Sequence, residues 1–467
     1  MKREMDRQSP TQQSVAQAIV LAHRSSEAGT SPACLLSVAT LPVILRAILT
    51  AQRAGVRKFL VVVDEVRGPK IRQALERSRR LPDAVEWLML PQNATSPLTV
   101  LNAIAERADE QFLLLPGEAT FHSRLLDSLI SMNGPEVVQL VASGHPTGIY
   151  KFSRHALSTL RHIPPTLQTW HDLDRWLERT HLLRREEIDD KFWQPITSVE
   201  DLPRAEAKLN QWLYKETDGI YARWNRKISI PISRLLIKLP ITPNMVTVFT
   251  LLVSVVSGVF FALGGYLHTL VGAILSHLAC ILDGSDGEVA RLTFQESEFG
   301  CWLETVCDNA YYASIYTGMV IGMYRTTGSM AYPIAGVLLG VGMLMSFIMT
   351  GYQRRYVARH RPEKYLSEWQ KKMDAHRDNA LYRFARRHEF LVRRSFLPYA
   401  ILFFAIIDFM DFVLFMSALG ANLVWTLALY SHRAFRRDAS QKASRLPRRP
   451  VADGQRHATG EHRSMAG

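Results

Sequence analysis

With 467 residues the chain is too long for one compact soluble domain on a prior of roughly 150 residues per domain, and 56 Lys and Arg against 43 Asp and Glu leave it at +13. Four cysteines, Cys34, Cys280, Cys301 and Cys307, lack CxxC spacing or a paired His pattern, which argues against a zinc site or a disulfide framework and reads them as buried thiols. The basic residues crowd beside apolar runs, at 223–238, 354–394 and 433–463, a distribution that fits a cytoplasmic membrane surface and argues against nucleic acid.

Residues 1–31 are polar and lack the apolar core of a signal peptide, so they are predicted to be disordered, and the soluble half is expected to stay on the synthesis side of the membrane. From 32 to 205, short apolar runs alternate with helical patterns: ACLLSVA, LPVILRAILTAQRAG, KFLVVVD, KIRQALERSRR, VEWLML, SPLTVLNAIAERAD and FLLLP. This alternation predicts a doubly wound α/β domain, a parallel sheet with helices on both faces. Its histidines, such as His155, His162 and His171, are scattered and have no metal spacing.

Residues 206–240 read as a linker followed by a basic amphipathic helix. In DGIYARWNRKISIPISRLLIKLP, Ile228, Ile230, Ile232, Leu235, Leu236 and Leu239 interleave with Arg223, Arg226, Lys227, Arg234 and Lys238, which suits a helix lying among lipid headgroups. Residues 241–432 accommodate an all-α domain of six membrane spans, at about 244–263, 266–282, 300–324, 330–352, 396–409 and 412–430, given that a crossing needs about 20 apolar residues. The turns at 264–265, 325–329 and 408–411 are poor in Lys and Arg, so both termini are expected on the cytoplasmic side of the cell membrane. Arg354, Arg355, Arg393 and Arg394 read first as topology signals and headgroup contacts, and second as holders of an acceptor phosphate. The tail 433–467, rich in Arg, Ser, Pro and Gly, is predicted to be disordered.

Carboxylates cluster where the second and third spans meet. Asp283 and Asp286 are three apart, and Gly300, Glu304 and Asp308 are four apart, so each set lies on one helix face and four acids can converge across a helix pair. Acids near a bilayer are costly and point to function. Such a cluster calls for cations, and all-oxygen ligation suits two Mg²⁺ or Mn²⁺ ions gripping a pyrophosphate. Gly287 and Gly300 leave room for phosphates close to the helices, and Arg291 offers a charge-assisted donor.

The run Asp283-x-x-Asp286-Gly287-x-x-Ala290-Arg291, eight residues, then Gly300-x-x-x-Glu304-x-x-x-Asp308 resembles the signature of the CDP-alcohol phosphotransferase family, DxxDGxxAR followed by GxxxDxxxD. Glu304 departs from it, standing where the family has its third Asp. The resemblance implies that Asp283, Asp286, Glu304 and Asp308 ligate the metals, that Asp308 deprotonates an acceptor hydroxyl, and that the partners are a CDP-linked donor, a hydroxyl acceptor and membrane lipids. Pro243, Asn244 and Thr247 match the PNxxT that holds the cytidine end of the donor. A homodimer is implied by the resemblance alone.

The order of α/β domain, NRKIS and phosphotransferase spans also resembles the bifunctional inositol-1-phosphate cytidylyltransferase and di-myo-inositol-phosphate-phosphate synthase proteins. Their soluble half carries a loop of the LAAGxGxR type and later metal-binding acids. Here the first loop is read as LLSVATLPVILRAI, without a glycine pair, and Pro195 and Thr197 replace aspartates, although Glu118 keeps one acid. Residues 32–205 are therefore expected to be nucleotidyltransferase-like and inactive. The expected activity is transfer of a phosphoalcohol or phosphatidyl group with release of CMP; the alternative is a non-catalytic membrane assembly or regulatory protein on a decayed scaffold.

Overall fold

The computed structural model describes residues 15–23, 27–28, 31–92, 94, 96–132, 137–160, 167–215, 218–357 and 396–445. The chain divides into two compact units, Met1–Ser254 with Leu278–Tyr311, and Val255–His277 with Tyr312–Gly467.

The first unit is built on strands β1 (Gln17–Leu21), β2 (Lys58–Asp64), β3 (Val85–Leu90), β4 (Gln111–Pro116), β5 (Val137–Ala142), β6 (His145–Ser153) and β7 (Leu183–Ile188). They form one sheet in the order β7-β5-β6-β4-β1-β2-β3. The runs QAIVL, KFLVVVD and QFLLLP are nearly continuous in apolar residues because both faces are covered. Alternate residues go to opposite faces. Val20, Val61 and Leu115 pack under helices α1 (Val43–Arg53), α2 (Gly68–Glu76) and α4 (Ser123–Ser131), while Ile19, Leu60 and Leu114 pack under α3 (Pro97–Ala105), α5 (Arg154–Leu160) and α6 (Trp170–Arg179).

Three expectations are corrected here. The sheet begins at Gln17, inside the stretch expected to be disordered, and ACLLSVA is no strand: it forms a turn of 3-10 helix, Ala33–Leu35, and one side of a two-residue ladder, Ser37–Val38 against Leu41–Pro42. QAIVL lies in the short apolar run VAQAIVLA, which is masked by a stretch that is otherwise polar. The sheet is also not wholly parallel, because β6 runs antiparallel to both β4 and β5. Ser143 and Gly144, at φ +48° and +78°, make the tight turn that folds β6 back on β5, a left-handed pair suited to a hairpin.

Helices α7 (Leu202–Trp212), α8 (Ile220–Leu236), α9 (Pro243–Leu263), α10 (Tyr266–Thr293), α11 (Glu298–Thr327), α12 (Ala331–Val357), α13 (Leu397–Ile406) and α14 (Met410–Arg445) follow. On α9 the usual pattern is inverted: Ser254 and Ser257 are buried, whereas Val248, Phe249, Leu252, Val255, Val256 and Val259 are exposed. Apolar surface outside and small polar residues inside is the arrangement that lipid selects. Among the described residues three helices are long and apolar enough to cross a membrane: Pro243–Leu263, Tyr266–Thr293 and Ala331–Met349. Helix α11 carries Glu298, Glu304, Asp308 and Arg325, and α13 and the apolar part of α14 are short.

In the second unit, small residues bring α9 and α11 close. A Cβ on Gly318 would overlap the backbone of Gly258, and one on Gly258 would overlap Ser314, so this contact admits little else. Polar side chains join the other helices: Asn422 Nδ2 donates to the Leu338 carbonyl at 2.9 Å, Ser346 Oγ to the Ala421 carbonyl at 3.1 Å, and the Tyr316 hydroxyl to Ser417 Oγ at 2.8 Å. The main chain stays helical to Arg445, past 433 where disorder was expected. His162, Arg393, Arg394 and residues 446–467 lie outside the described residues, as do the side chains of Arg354 and Arg355. Of the cysteines, Cys34 and Cys307 are buried, but Cys301 is exposed on the first turn of α11, which corrects its reading as a buried thiol.

Candidate active site

Helix α10 does not stop at the acids. Gly284 and Gly287 are poor helix formers, yet the helix runs through both to Thr293, so the whole motif from Asp283 to Arg291 is helical. The helix runs on past 282, the expected end of the second span, and the acids share it as their spacing of three implies. Ser297 Oγ accepts from the Gly300 amide at 3.0 Å and caps α11, which sets Glu304 and Asp308 one and two turns along that helix.

Three elements bring the predicted residues together. Thr247 on α9 donates its hydroxyl to Asp286 Oδ2 at 2.6 Å, and Asp286 is buried, at 5% exposure. Asp286 lies within electrostatic reach of Glu304 and Asp308 on α11, and Cys307 within reach of Asp308, Asp286 and Asp283. Asn244, in the first turn of α9, approaches Gly300: a Cβ there would come 3.3 Å from Asn244 Oδ1 and 3.1 Å from Ser297 Oγ. Pro243 starts α9, with its carbonyl 3.2 Å from the Thr247 hydroxyl. Ala290 is buried. Arg291 folds back along its own helix, its Nη1 3.2 Å from where a Cβ of Gly287 would stand, and its buried Nε has no hydrogen-bond partner among the described residues. Among the described residues no three His, Cys, Asp or Glu side chains already converge as a metal group. The donor set nevertheless suits a hard divalent ion, being all carboxylate oxygen beside two positions without side chains.

The structure adds residues that the motif did not reveal. Glu288 is fully buried, and its carboxylate accepts from Arg226 Nη1 at 2.8 Å, Ser229 Oγ at 2.7 Å and Ser233 Oγ at 2.7 Å, all from α8. Arg226 is bound in turn by Asp218 through Nε and Nη2. Burial works to lower the Arg226 guanidinium, but the hydrogen bond and charge of Asp218 and the charge of Glu288 outweigh it and hold Arg226 above its ordinary value. Two letters of NRKIS, Arg226 and Ser229, are thus the polar seam between α8 and α10. Opposite that seam, Ile220, Trp224, Ile228, Leu235 and Leu239 are exposed together with Arg223, Lys227 and Lys238, so α8 carries an apolar, basic outer face. Lys215, just before α8, lies in the field of Arg291 and Arg226 and of the acids Glu304 and Asp218; burial first, then the two arginines, lower its ammonium.

In the α/β half, Pro195 pairs with Ala119 and the Ile196 amide donates to the Glu118 carbonyl at 2.7 Å, so Glu118 faces the segment that lacks the two aspartates. Of the two acids just beyond them, Glu200 and Asp201, Asp201 is occupied by the Thr197 and Ser198 amides at 2.9 and 3.1 Å. The first βα connection starts at Ala22, after β1, and not at Leu35, which corrects the placement of the phosphate loop.

Residues 240–377 match the model of the family described as CDP-alcohol phosphatidyltransferase. A protein of Aquifex aeolicus named bifunctional IPC transferase and DIPP synthase is 39% identical over 124 residues, which is 26% of this chain and only 28% of the relative. One of the same name from Thermococcus kodakarensis is 26% identical over 323 residues, 62% of this chain and 72% of the relative. Among solved structures, the inositol-1-phosphate CTP transferase from T. maritima is similar with 15% identity and a TM-score of 0.35, covering 42% of this chain and 96% of that one. Residues 240–377 in the C-terminal region thus carry the match to a CDP-alcohol phosphatidyltransferase domain, while the chain spans little more than a quarter of the first of these relatives.

Proposed function

We propose that the acids on α10 and α11 catalyse transfer of a phosphoalcohol group from a CDP-linked donor to an acceptor hydroxyl, in the synthesis of a phospholipid or an inositol phosphodiester. The observation that carries this reading is the signature spacing from Asp283 to Asp308 together with the burial of Asp286 in reach of Glu304 and Asp308. Asp283, Asp286, Glu304 and Asp308 would hold Mg²⁺ or Mn²⁺, two ions in our reading, which when bound neutralise the donor pyrophosphate. Asn244, Thr247 and Pro243 at the start of α9 border the site and suit the cytidine end; Gly287, Ala290 and Gly300 keep the helix surfaces low, and the open Nε of Arg291 suits a phosphate oxygen.

In the reaction, Asp308 takes the proton of the acceptor hydroxyl. The hydroxyl oxygen attacks the phosphorus that bears the alcohol, the bond from that phosphorus to the CMP oxygen breaks, and CMP leaves with the electron pair. The six helices α9 to α14 would form six spans with both termini cytoplasmic, and α8 would rest in the headgroup layer on its apolar, basic face. The α/β half is read as a nucleotidyltransferase-like domain without nucleotidyl transfer, since Glu118 has no second acid opposite it at Pro195 or Thr197.

Purified protein incubated with candidate CDP donors, acceptors and Mg²⁺ or Mn²⁺, with CMP followed by mass spectrometry, tests the transferase reading. No CMP from CDP-inositol, CDP-diacylglycerol or any other CDP-alcohol would overturn it. The same protein given CTP and sugar or inositol phosphates is expected to release no pyrophosphate.

A further inference from the structure

The last four carbonyls of an α-helix have no partner inside the helix. At the end of α10 every one is answered. The Gln295 amide donates to the Ala290 carbonyl at 2.9 Å, and three arginines of the α/β fold supply the rest: Arg53 Nη2 to the Arg291 carbonyl at 3.3 Å, Arg46 Nη2 to the Leu292 carbonyl at 2.9 Å, and Arg80 Nη1 to the Thr293 carbonyl at 2.8 Å. Three cations at a helix C-terminus also complement its dipole.

The next residue is Phe294, at φ +54°, a left-handed conformation that a bulky side chain rarely adopts. Its ring is held between two of the same arginines, 4.3 Å from the Arg53 guanidinium carbon and 5.3 Å from that of Arg46. Arg46 is itself buried, and the same Nη2 reaches the Val38 carbonyl at 2.9 Å and the Ala39 carbonyl at 3.4 Å, in a turn where Ala39 and Thr40 also have positive φ. One guanidinium therefore ties the short ladder of Ser37–Val38 and Leu41–Pro42 to the end of the motif helix. Behind it lies a shared apolar core: Val38 and Val43 from the α/β half, Leu209 from α7, Ile230 from α8, and Val289 and Leu292 from α10.

Resting on the reading of α10 as the helix that carries catalytic acids, we propose that the α/β half serves the transferase as a clamp on α10, with Arg46, Arg53 and Arg80 as positioning residues for Asp283 and Asp286. Asp286 and Asp283 stand six and nine residues before Leu292, about 9 and 14 Å along the axis at 1.5 Å per residue. A helix fixed at this end in rotation and height keeps its acids in register with α11, where misplacement by about 1 Å costs of the order of 100-fold in rate.

The test uses the full chain in a membrane mimic with three variants: Arg53→Ala with Arg80→Ala, Arg46→Met, and Arg72→Ala as a control on the exposed face of α2. The double variant is expected to lower kcat for CMP release about tenfold with donor KM within about twofold, and to speed amide exchange of 287–294 about tenfold, while Arg72→Ala changes neither; Arg80→Lys in place of Arg80→Ala is expected to restore part of kcat. Arg46→Met is expected to exceed the double variant in both readouts. Unchanged exchange in the double variant and Arg46→Met overturns the clamp. Faster exchange with intact kcat overturns the positioning role. If the wild type releases no CMP, the transferase reading fails, and the exchange measurement still decides the clamp alone.

Discussion

Two faces of one helix make opposite use of carboxylates. Toward α8, Glu288 has both oxygens occupied by Arg226, Ser229 and Ser233 and is shut off from solvent; toward α9 and α11, Asp286 accepts from the Thr247 hydroxyl and the Gly287 amide and stands in the field of like charge from Glu304 and Asp308. A buried acid with a matched cation and two hydroxyls has no capacity left for chemistry. One placed beside other acids costs stability unless a cation arrives, which is the arrangement expected of a ligand-binding site. In the proposed reading the motif DGSDGE therefore joins a structural acid to the acids of the site within two helical turns.

The comparison breaks most sharply at Asp286. Asp286→Asn keeps size and shape and relieves the repulsion from Glu304 and Asp308, so the folded protein is expected to be at least as stable while CMP release falls by about 10²–10³-fold or more, the scale of losing a transition-state charge stabiliser. Retained activity with an unchanged metal requirement would count against the acid cluster as the site. Glu288→Ala should do the reverse. It leaves Arg226 with Asp218 alone and takes the acceptor from buried Ser229 and Ser233, which costs about 1–3 kcal/mol for each donor left unsatisfied, read as a lowered thermal midpoint in detergent. A Glu288→Ala protein as stable as wild type but inactive would move Glu288 to the catalytic side.

Glu304 sharpens the comparison because it is a functional-face acid of unusual length. It reaches about 1.5 Å further than Asp on a fixed helix, and Mg²⁺ holds ligands at about 2.0–2.1 Å in near-octahedral geometry. We expect Glu304→Ala to abolish CMP release and Glu304→Asp to keep it within about tenfold while changing the preference between Mg²⁺ and Mn²⁺. Normal turnover by Glu304→Ala would remove the residue from the site. An inactive wild type with an active Glu304→Asp would mean a silenced enzyme.

What the sequence made legible follows the same division. The face with the proposed site is written in local spacing, since carboxylates recur at three and four residues on adjacent helices, and Asp283, Asp286, Glu304 and Asp308 can be singled out as candidates from that pattern. The structural face is written in long-range pairs. Glu288 occupies a variable position of the motif and its partner Arg226 lies 62 residues away, so no periodicity connects them. Arg46 is hidden for a similar reason: in VILRAILTA it is one charge in an apolar run, and its acceptor at Leu292 lies 246 residues away. The strand Gln17–Leu21 escapes notice because its apolar run, VAQAIVLA, is only eight residues long and stands between the polar stretches 1–14 and 23–32, although it sits inside the sheet with a parallel strand on each side.

The smallest effect tests whether the structural seam extends to Asp218. Burial would raise its carboxyl, but the hydrogen bond from Arg226 and the backbone amide of Lys215 outweigh that and hold it below its ordinary value of 3.8. A carboxyl with a lowered folded value contributes stability that is complete above the unfolded value and lost as pH falls through the folded one. Wild type should therefore exceed Asp218→Asn by about 1 kcal/mol at neutral pH, and the gap should close as pH falls below 3.8. In the Asp218→Asn variant the side-chain amide would still offer Arg226 an acceptor, and Ser229 and Ser233 keep Glu288, which is why the loss stays below that of Glu288→Ala. Chemical denaturation of both proteins in detergent at neutral pH and in steps through the acid range below 3.8 reads the gap directly. A difference that persists unchanged into acid would mean that the Asp218→Asn variant loses packing and not charge, and that the polar seam ends at Arg226.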